Sequence, residues 1–216
     1  MRQWQAIVPI KQGTGSKSRL SGVLDTSGRM ALMRQLAGHV VAVLRNCPDV
    51  LSIAILSPAR PGGWYGDWIK DEGRGLNAEL KRWHIGLGGS PAMVIHADLP
   101  LVCAADVSIL LASARANGSA MATDRAGNGT NALALASGGA FDFRFGAMSR
   151  HLHTSQCPDM PVLERVGLVA DLDTPDDLSF AESRGFRVEQ ACHREGLAAA
   201  PALHKAAMKF DQESRP

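Results

Sequence analysis

Short runs rich in valine, isoleucine and leucine, each followed by a stretch with helical spacing, recur along the whole chain. No other feature restricts the fold as much. WQAIVPI (4–10), VLSIAILS (50–57) and AMVIHAD (92–98) have strand length and strand composition. After the first run, Met33, Leu36, Val40, Val43 and Leu44 recur at helical spacing within RMALMRQLAGHVVAVLRN, which ends at Cys47-Pro48. GLNAELKRWHIGL from Gly75 and the segment 104–114 read as two further helices. SAMATD (119–124) and NALALAS (131–137) read as a strand pair around a glycine turn, and a short helix is expected near 147–156. A last strand is expected near 166–172, then a helix over 174–185 with Thr174 as cap, Pro175 in the first turn, and Asp176 and Asp177 at its positive end. ARPGGWYGDW reads as loop, with Trp64, Tyr65 and Trp68 as loop packing. Such alternation specifies an α/β fold, a mostly parallel mixed sheet covered on both faces. The late strand pair suggests a partly antiparallel edge.

Length and charge narrow the classes of function. The 216 residues suit one α/β domain, and a net charge of +2 gives no field for nucleic acid. Cys47, Cys103, Cys157 and Cys192 lie far apart with no C-x-x-C, which argues for free thiols in a reducing compartment and against a zinc or redox motif. No apolar run reaches membrane-spanning length and no secretory leader is expected, so the expected location is the cytoplasm. The domain is expected to span 1–187. Residues 188–216 form an alanine-rich tail expected to be a loose helix or disordered, with an oligomer contact, such as a homodimer, as the alternative.

Ligands of such sheets bind outside the carboxyl ends of the strands. That rule points at the loops after Ile10, after Ile95 and after Val169. The first is VPIKQGTGSKSRL, a glycine-studded loop with Lys17 beside Ser18. It lacks the G-x-x-x-x-G-K-[ST] spacing of a P-loop, because Ser16 precedes Lys17, leaving another phosphate-binding loop or a plain basic turn. The second holds Asp98 in HADLPLV, several residues too early to cap the helix at 104. The third holds Asp171 and Asp173, which period-two spacing puts on one face of the expected strand. With Asp98 they can hold one or two Mg²⁺ ions. In DEGRGLNAEL, Gly75 allows close backbone approach and Asn77 offers both a donor and an acceptor. Thr130, Gly146 and Ser149 can offer hydroxyl and N–H groups to an anion, with Gly146 opening a helix. His151 and His153 are expected on a surface helix, solvated or facing substrate. No serine or cysteine nucleophile pattern is present.

Taken in order, VPIKQGTGSKSRL, GLNAEL, HADLPLV, GNGTNALAL, FGAMSRHLH and VADLDTPDDL resemble the phospholactate guanylyltransferase family of deazaflavin coenzyme F-420 biosynthesis, over about residues 4–186. The resemblance implies a single-domain, Rossmann-like (GT-A-like) three-layer nucleotidyltransferase fold. It implies a reaction in which the phosphate of 2-phospho-L-lactate, phosphoenolpyruvate or 3-phospho-D-glycerate attacks the α-phosphate of GTP and pyrophosphate leaves. A partner transferase then passes the product's acid phosphate to a deazaflavin precursor. Carried over residue by residue, Asp98 and Asp171 hold Mg²⁺, while Lys11, Lys17 and Arg19 cradle the phosphates. Gly75 and Asn77 lie near the nucleoside, and Thr130, Gly146 and Ser149 grip the acid. Arg150 stands where an aromatic residue is expected, which bears on the acid accepted. Two alternatives stay open: a molybdenum-cofactor nucleotidyltransferase, and a GTP-binding regulatory module without turnover.

Overall fold

A computed structural model describes residues 3–11 and 17–189. Residues 12–16 of the glycine loop and the tail from 190 lie outside the described residues. Strand β1 (Trp4–Pro9) leads through a 3-10 turn (Ser18–Leu20) to helix α1 (Thr26–Arg45). Then come β2 (Val50–Ser57), β3 (Asp67–Lys70), α2 (Leu76–Gly86), β4 (Ala92–Ile95), α3 (Ala104–Asn117), β5 (Ser119–Thr123) and β6 (Thr130–Leu135). The chain continues with α4 (Ser149–Thr154), β7 (Val162–Leu163), α5 (Val166–Val169) and α6 (Pro175–Glu182).

Seven strands form one sheet in the order β3-β2-β1-β4-β6-β5-β7. Only β6 runs against the rest: β1 pairs in parallel with β2 and β4, and β6 pairs antiparallel with both β4 and β5. The antiparallel element is therefore inside the sheet, between β4 and β5, and the edge is the short parallel β7. The expected antiparallel edge is corrected on this point. All six residues of β6 are buried, so an edge position would have exposed an apolar ribbon with unpaired N–H groups.

Period two splits the strand residues between two faces, and each face acquires a layer. Val40, Val41 and Leu44 of α1 and Val107, Leu110 and Leu111 of α3 pack with Trp4, Ala6, Val8 and Met93. Leu80 and Trp83 of α2 and the phenylalanines 141, 143 and 145 pack with Ile7, Val94, Met121 and Leu133 on the other. These two layers and the sheet between them make the three-layer α/β fold. No helix among the described residues is long and apolar enough to cross a membrane.

Two expectations fail locally. The expected loop ARPGGWYGDW ends in β3, four residues paired with β2, and Trp64 packs from the loop into the core. A four-residue edge strand behind three glycines carries too short a pattern to read. The strand expected near 166–172 does not exist; the chain forms α5 there, and the strand is β7 a few residues earlier. An apolar run as short as VGLVADL fits either period, and packing decides. A Cβ on Gly167 would lie 2.1 Å from Asp106 Oδ2, and the Leu172 N–H bonds to Asp98 O (3.0 Å) instead of a ladder. The period-two argument for Asp171 and Asp173 falls with the strand.

Candidate active site

β1 and β4 are parallel neighbours whose following helices, α1 and α3, lead to opposite flanks of the sheet, to β2 and to β5. A crevice opens at such a reversal, outside the carboxyl ends of the two strands. Lys17 enters it after β1, and Asp98 after β4. The Lys17 ammonium lies 2.7 Å from Asp98 Oδ2 and 2.6 Å from Asp173 Oδ1. Two of its three N–H donors are thereby used, and the third has no partner among the described residues. Lys17 holds a left-handed backbone, φ 55°, at the start of the 3-10 turn. A residue with a Cβ pays about 1 kcal/mol for that conformation. It persists because it aims the ammonium at the two carboxylates.

The electrostatics are those of a cluster with surplus negative charge. Burial opposes the charge on Lys17, but Asp98 and Asp173 outweigh it and hold its pKa above the usual lysine value. Burial likewise opposes the charge on Asp98, and Lys17 and then His96 pull its pKa below the usual carboxylate value. Asp171 shifts the other way: burial and the Asp98 charge raise it, offset in part by a hydrogen bond from Asn131. Asp98 Oδ1 is buried and has no hydrogen-bond partner.

Among the described residues no group of three or more His, Cys, Asp or Glu side chains is arranged to hold a metal ion. A hard cation that takes most of its oxygens from phosphates and water needs fewer protein ligands. The orphaned Asp98 Oδ1 and the neighbouring charge-stressed Asp171 fit such an ion. These two carboxylates would hold it, and when bound it would neutralise phosphate charge.

Asn131 was not legible as a functional residue, yet it sets the position of Asp171. Buried on β6, its Nδ2 donates to Leu168 O (3.0 Å), Val169 O (3.3 Å) and Asp171 Oδ1 (3.3 Å). It does for the α5 terminus and the acid what a strand ladder was expected to do. Asp177, in a capping box with Thr174, accepts the Asp173 N–H at 3.1 Å and so fixes the carboxylate that meets Lys17.

A second group of expected residues lies along 144–153. Asn77 grips the backbone of Phe145 through both amide atoms, Nδ2 to Phe145 O (3.1 Å) and Phe145 N–H to Oδ1 (2.8 Å). The Phe145 ring lies 5.4 Å from that of His96, the residue whose charge acts on Asp98. Asn77 thus braces this segment, and Gly75 (φ 91°) turns the chain into α2 just before it. Gly146 (φ 126°) does not open the helix as expected. Helix α4 starts at Ser149 after Met148, a left-handed residue, and the Ser149 N–H bonds to Gly146 O (3.2 Å). Thr130 and Ser149 are both buried, and Thr130 Oγ1 lies 3.0 Å from His153 Nδ1. The expectation for His153 is corrected: it is fully buried in a phenylalanine cluster, while His151 is exposed. In so short a helix, one histidine faces the core simply because its neighbour two places on faces water. Lys11 and Arg19 are exposed and make no ion pair among the described residues. Arg150 reaches Gly127 O (3.2 Å).

Comparison with solved structures defines the fold. A Desulfovibrio desulfuricans G20 protein described as a nucleotide-diphospho-sugar transferase superposes with a TM-score of 0.65 at 15% identity, covering 82% of this chain and 85% of that one. The 2-C-methyl-D-erythritol 4-phosphate cytidylyltransferase of Thermus thermophilus superposes with a TM-score of 0.51 at 16% identity, covering 84% and 98%. The fold is that of the nucleotidyltransferases. More narrowly, residues 4–182 match the model of the family described as guanylyl transferase CofC like, and the chain belongs to that family. A phosphoenolpyruvate guanylyltransferase of Rubrobacter xylanophilus is 38% identical over 197 residues, 83% of this chain and 94% of that relative.

Proposed function

We propose that this chain transfers GMP from GTP to a small phospho-acid, releasing pyrophosphate, as a cytoplasmic step of deazaflavin coenzyme F-420 biosynthesis. Membership of the guanylyl transferase family supports the reaction. Phosphoenolpyruvate is the first candidate acid, after the name of the Rubrobacter xylanophilus relative, with 2-phospho-L-lactate and 3-phospho-D-glycerate as the others. The observation that carries the reading is the Lys17–Asp98–Asp173 cluster with Asp171 beside it, at the reversal point of the sheet.

In this reading an oxygen of the acid's phosphate forms a bond to the α-phosphorus of GTP. The bond from that phosphorus to the oxygen bridging to the β-phosphate breaks, and the electron pair leaves with pyrophosphate. A phosphate ester is already largely ionised at neutral pH (second pKa about 6), so no general base is needed. The difficulty is bringing anions together. Mg²⁺ on Asp98 and Asp171 would supply charge compensation at the triphosphate when bound. Lys17, with its remaining N–H, would bind a phosphate oxygen, and Lys11 and Arg19 would add positive charge at the crevice mouth. Gly75 and Asn77 would approach the nucleoside, and Thr130, Gly146 and Ser149 would hold the acid.

The test is pyrophosphate release from GTP and Mg²⁺ with each acid in turn, with ATP in place of GTP as control. Release with GTP and at least one acid is expected. No release with any acid would end this reading.

A further inference from the structure

His153 is the most completely satisfied polar group near the expected acid-binding residues, and its two nitrogens do different things. It sits on α4 with no exposed surface. Its Nε2 accepts the backbone N–H of Arg144 at 2.9 Å. A ring nitrogen that accepts carries no proton, so a neutral ring bears its proton on Nδ1. Burial keeps the ring neutral, lowering its pKa to about 4. Nδ1 lies 3.0 Å from Thr130 Oγ1 and therefore donates to it.

This fixes the direction of the next bond. Thr130 Oγ1 accepts from His153, so its own hydrogen must point elsewhere. No other bond of this hydroxyl exists among the described residues, and Thr130 is buried at the start of β6. A buried hydroxyl whose hydrogen lacks an acceptor among the described residues suits a ligand atom that can only accept. Phosphate and carboxylate oxygens are such atoms at neutral pH. The same ring also packs at 5.0 Å, edge to face, on Phe145, the neighbour of Gly146. One side chain thus sets both the Thr130 hydroxyl and the backbone leading to Gly146 and Ser149.

We propose that His153 is a positioning residue for the acceptor: by donating from Nδ1 to Thr130 Oγ1, it commits the Thr130 hydroxyl to donate to an oxygen of the phospho-acid. The inference rests on the function proposed above and deepens it. It does not involve the GTP side of the site.

Two measurements test it. Nitrogen-15 NMR of the wild-type histidines reads the tautomer without any need for activity, and the Nδ1–H form is expected for His153; the Nε2–H form would overturn the proposal. Steady-state kinetics with the best acid then compare Thr130→Val, His153→Phe and the double variant. Each single change should raise KM for the acid about tenfold, the factor one charge-assisted hydrogen bond supplies, with KM for GTP held within about twofold. The double variant should be no worse than either single one, because both remove the same bond. His153→Asn keeps an N–H near the Nδ1 position and should recover most of the acid KM; it also serves if the phenylalanine variant does not fold. A merely structural histidine would instead raise both KM values together. Independent, multiplying effects, or an acid KM unchanged in the folded variants, would sink this inference alone. Absence of release by the wild type with every acid would sink the function and this inference together.

Discussion

Lys17 and Asp98, 81 positions apart in the chain, meet in a 2.7 Å ion pair outside the carboxyl ends of β1 and β4. The pair neutralises one carboxylate of a cluster that contains three, and Asp173 takes a second bond from the same ammonium. Lys17→Met would leave Asp98 and Asp173 facing Asp171 without compensation. Removing one partner of a buried pair costs about 3–5 kcal/mol. Here the side chains of Asp98 and Asp173 are 26% and 46% exposed, and water screens them, so about 1–2 kcal/mol is expected. Urea unfolding at pH 7 measures it. Mg²⁺ should restore part of the loss in the variant, since a cation replaces the ammonium, while pyrophosphate release should stay at least about 100-fold down. An unchanged unfolding midpoint would show that the pair is not formed in solution.

Asp171→Asn should separate stability from activity. Burial and the Asp98 charge raise the Asp171 pKa, so the folded protein binds that proton more tightly than the unfolded chain. The sign follows: the ionised group costs stability at neutral pH, and the cost disappears as pH falls through the raised pKa toward the ordinary value of 3.8. The asparagine keeps an oxygen for the Asn131 amide and carries no charge. The variant should therefore melt higher than wild type at pH 7, by an amount that shrinks toward pH 4, and should release no pyrophosphate. Equal melting at both pH values would remove the charge conflict from the site.

Asn131→Ala tests whether β6 positions the acid. In that variant Leu168 O and Asp171 Oδ1 lose the Asn131 amide, while Val169 O keeps the Asp171 N–H at 3.1 Å. Leaving buried acceptors unpaired costs about 1–3 kcal/mol. Turnover should fall with stability, because Asp171 loses its anchor. A variant that loses stability but keeps full turnover would show that Asp171 is held by other contacts.

The contrast between Asp98 and Asn131 shows what the sequence could reveal. Asp98 follows an unmistakable apolar run, and the strand-end rule alone assigned it to the crevice. Thr174-Pro175-Asp176-Asp177 is equally readable, because capping is a local property: Thr174 caps α6 as expected, and Asp177 completes a capping box with it. Asn131 lies inside an apolar strand, and its importance depends on α5, nearly 40 residues later. The interior place of β6, the helix at 166–169 within the strand expected near 166–172, and the four-residue β3 were hidden for the same reason: tertiary packing decided them. The pattern FGAMSRHLH announced the second group of residues, but not which histidine faces the core.

That histidine gives the protein a defined acid sensitivity. The His153 pKa is lowered by burial from 6.5 to about 4. A depressed pKa means that the unfolded chain takes up the proton first. Stability is therefore fully present above pH 6.5 and is lost as pH falls toward the folded value. At 1.36 kcal/mol per unit the loss amounts to about 3 kcal/mol. The ring has no exposed surface, so solvent screening does not reduce this. His153→Asn removes the titration. It should lower stability at pH 7, because the Arg144 N–H loses its acceptor. From pH 6.5 to 4 it should then lose about 3 kcal/mol less than wild type, both measured by urea unfolding, while the carboxylates contribute alike to the two curves. Parallel curves over that interval would mean that His153 ionises as readily in the fold as in water, and would contradict the buried hydrogen bond from Arg144.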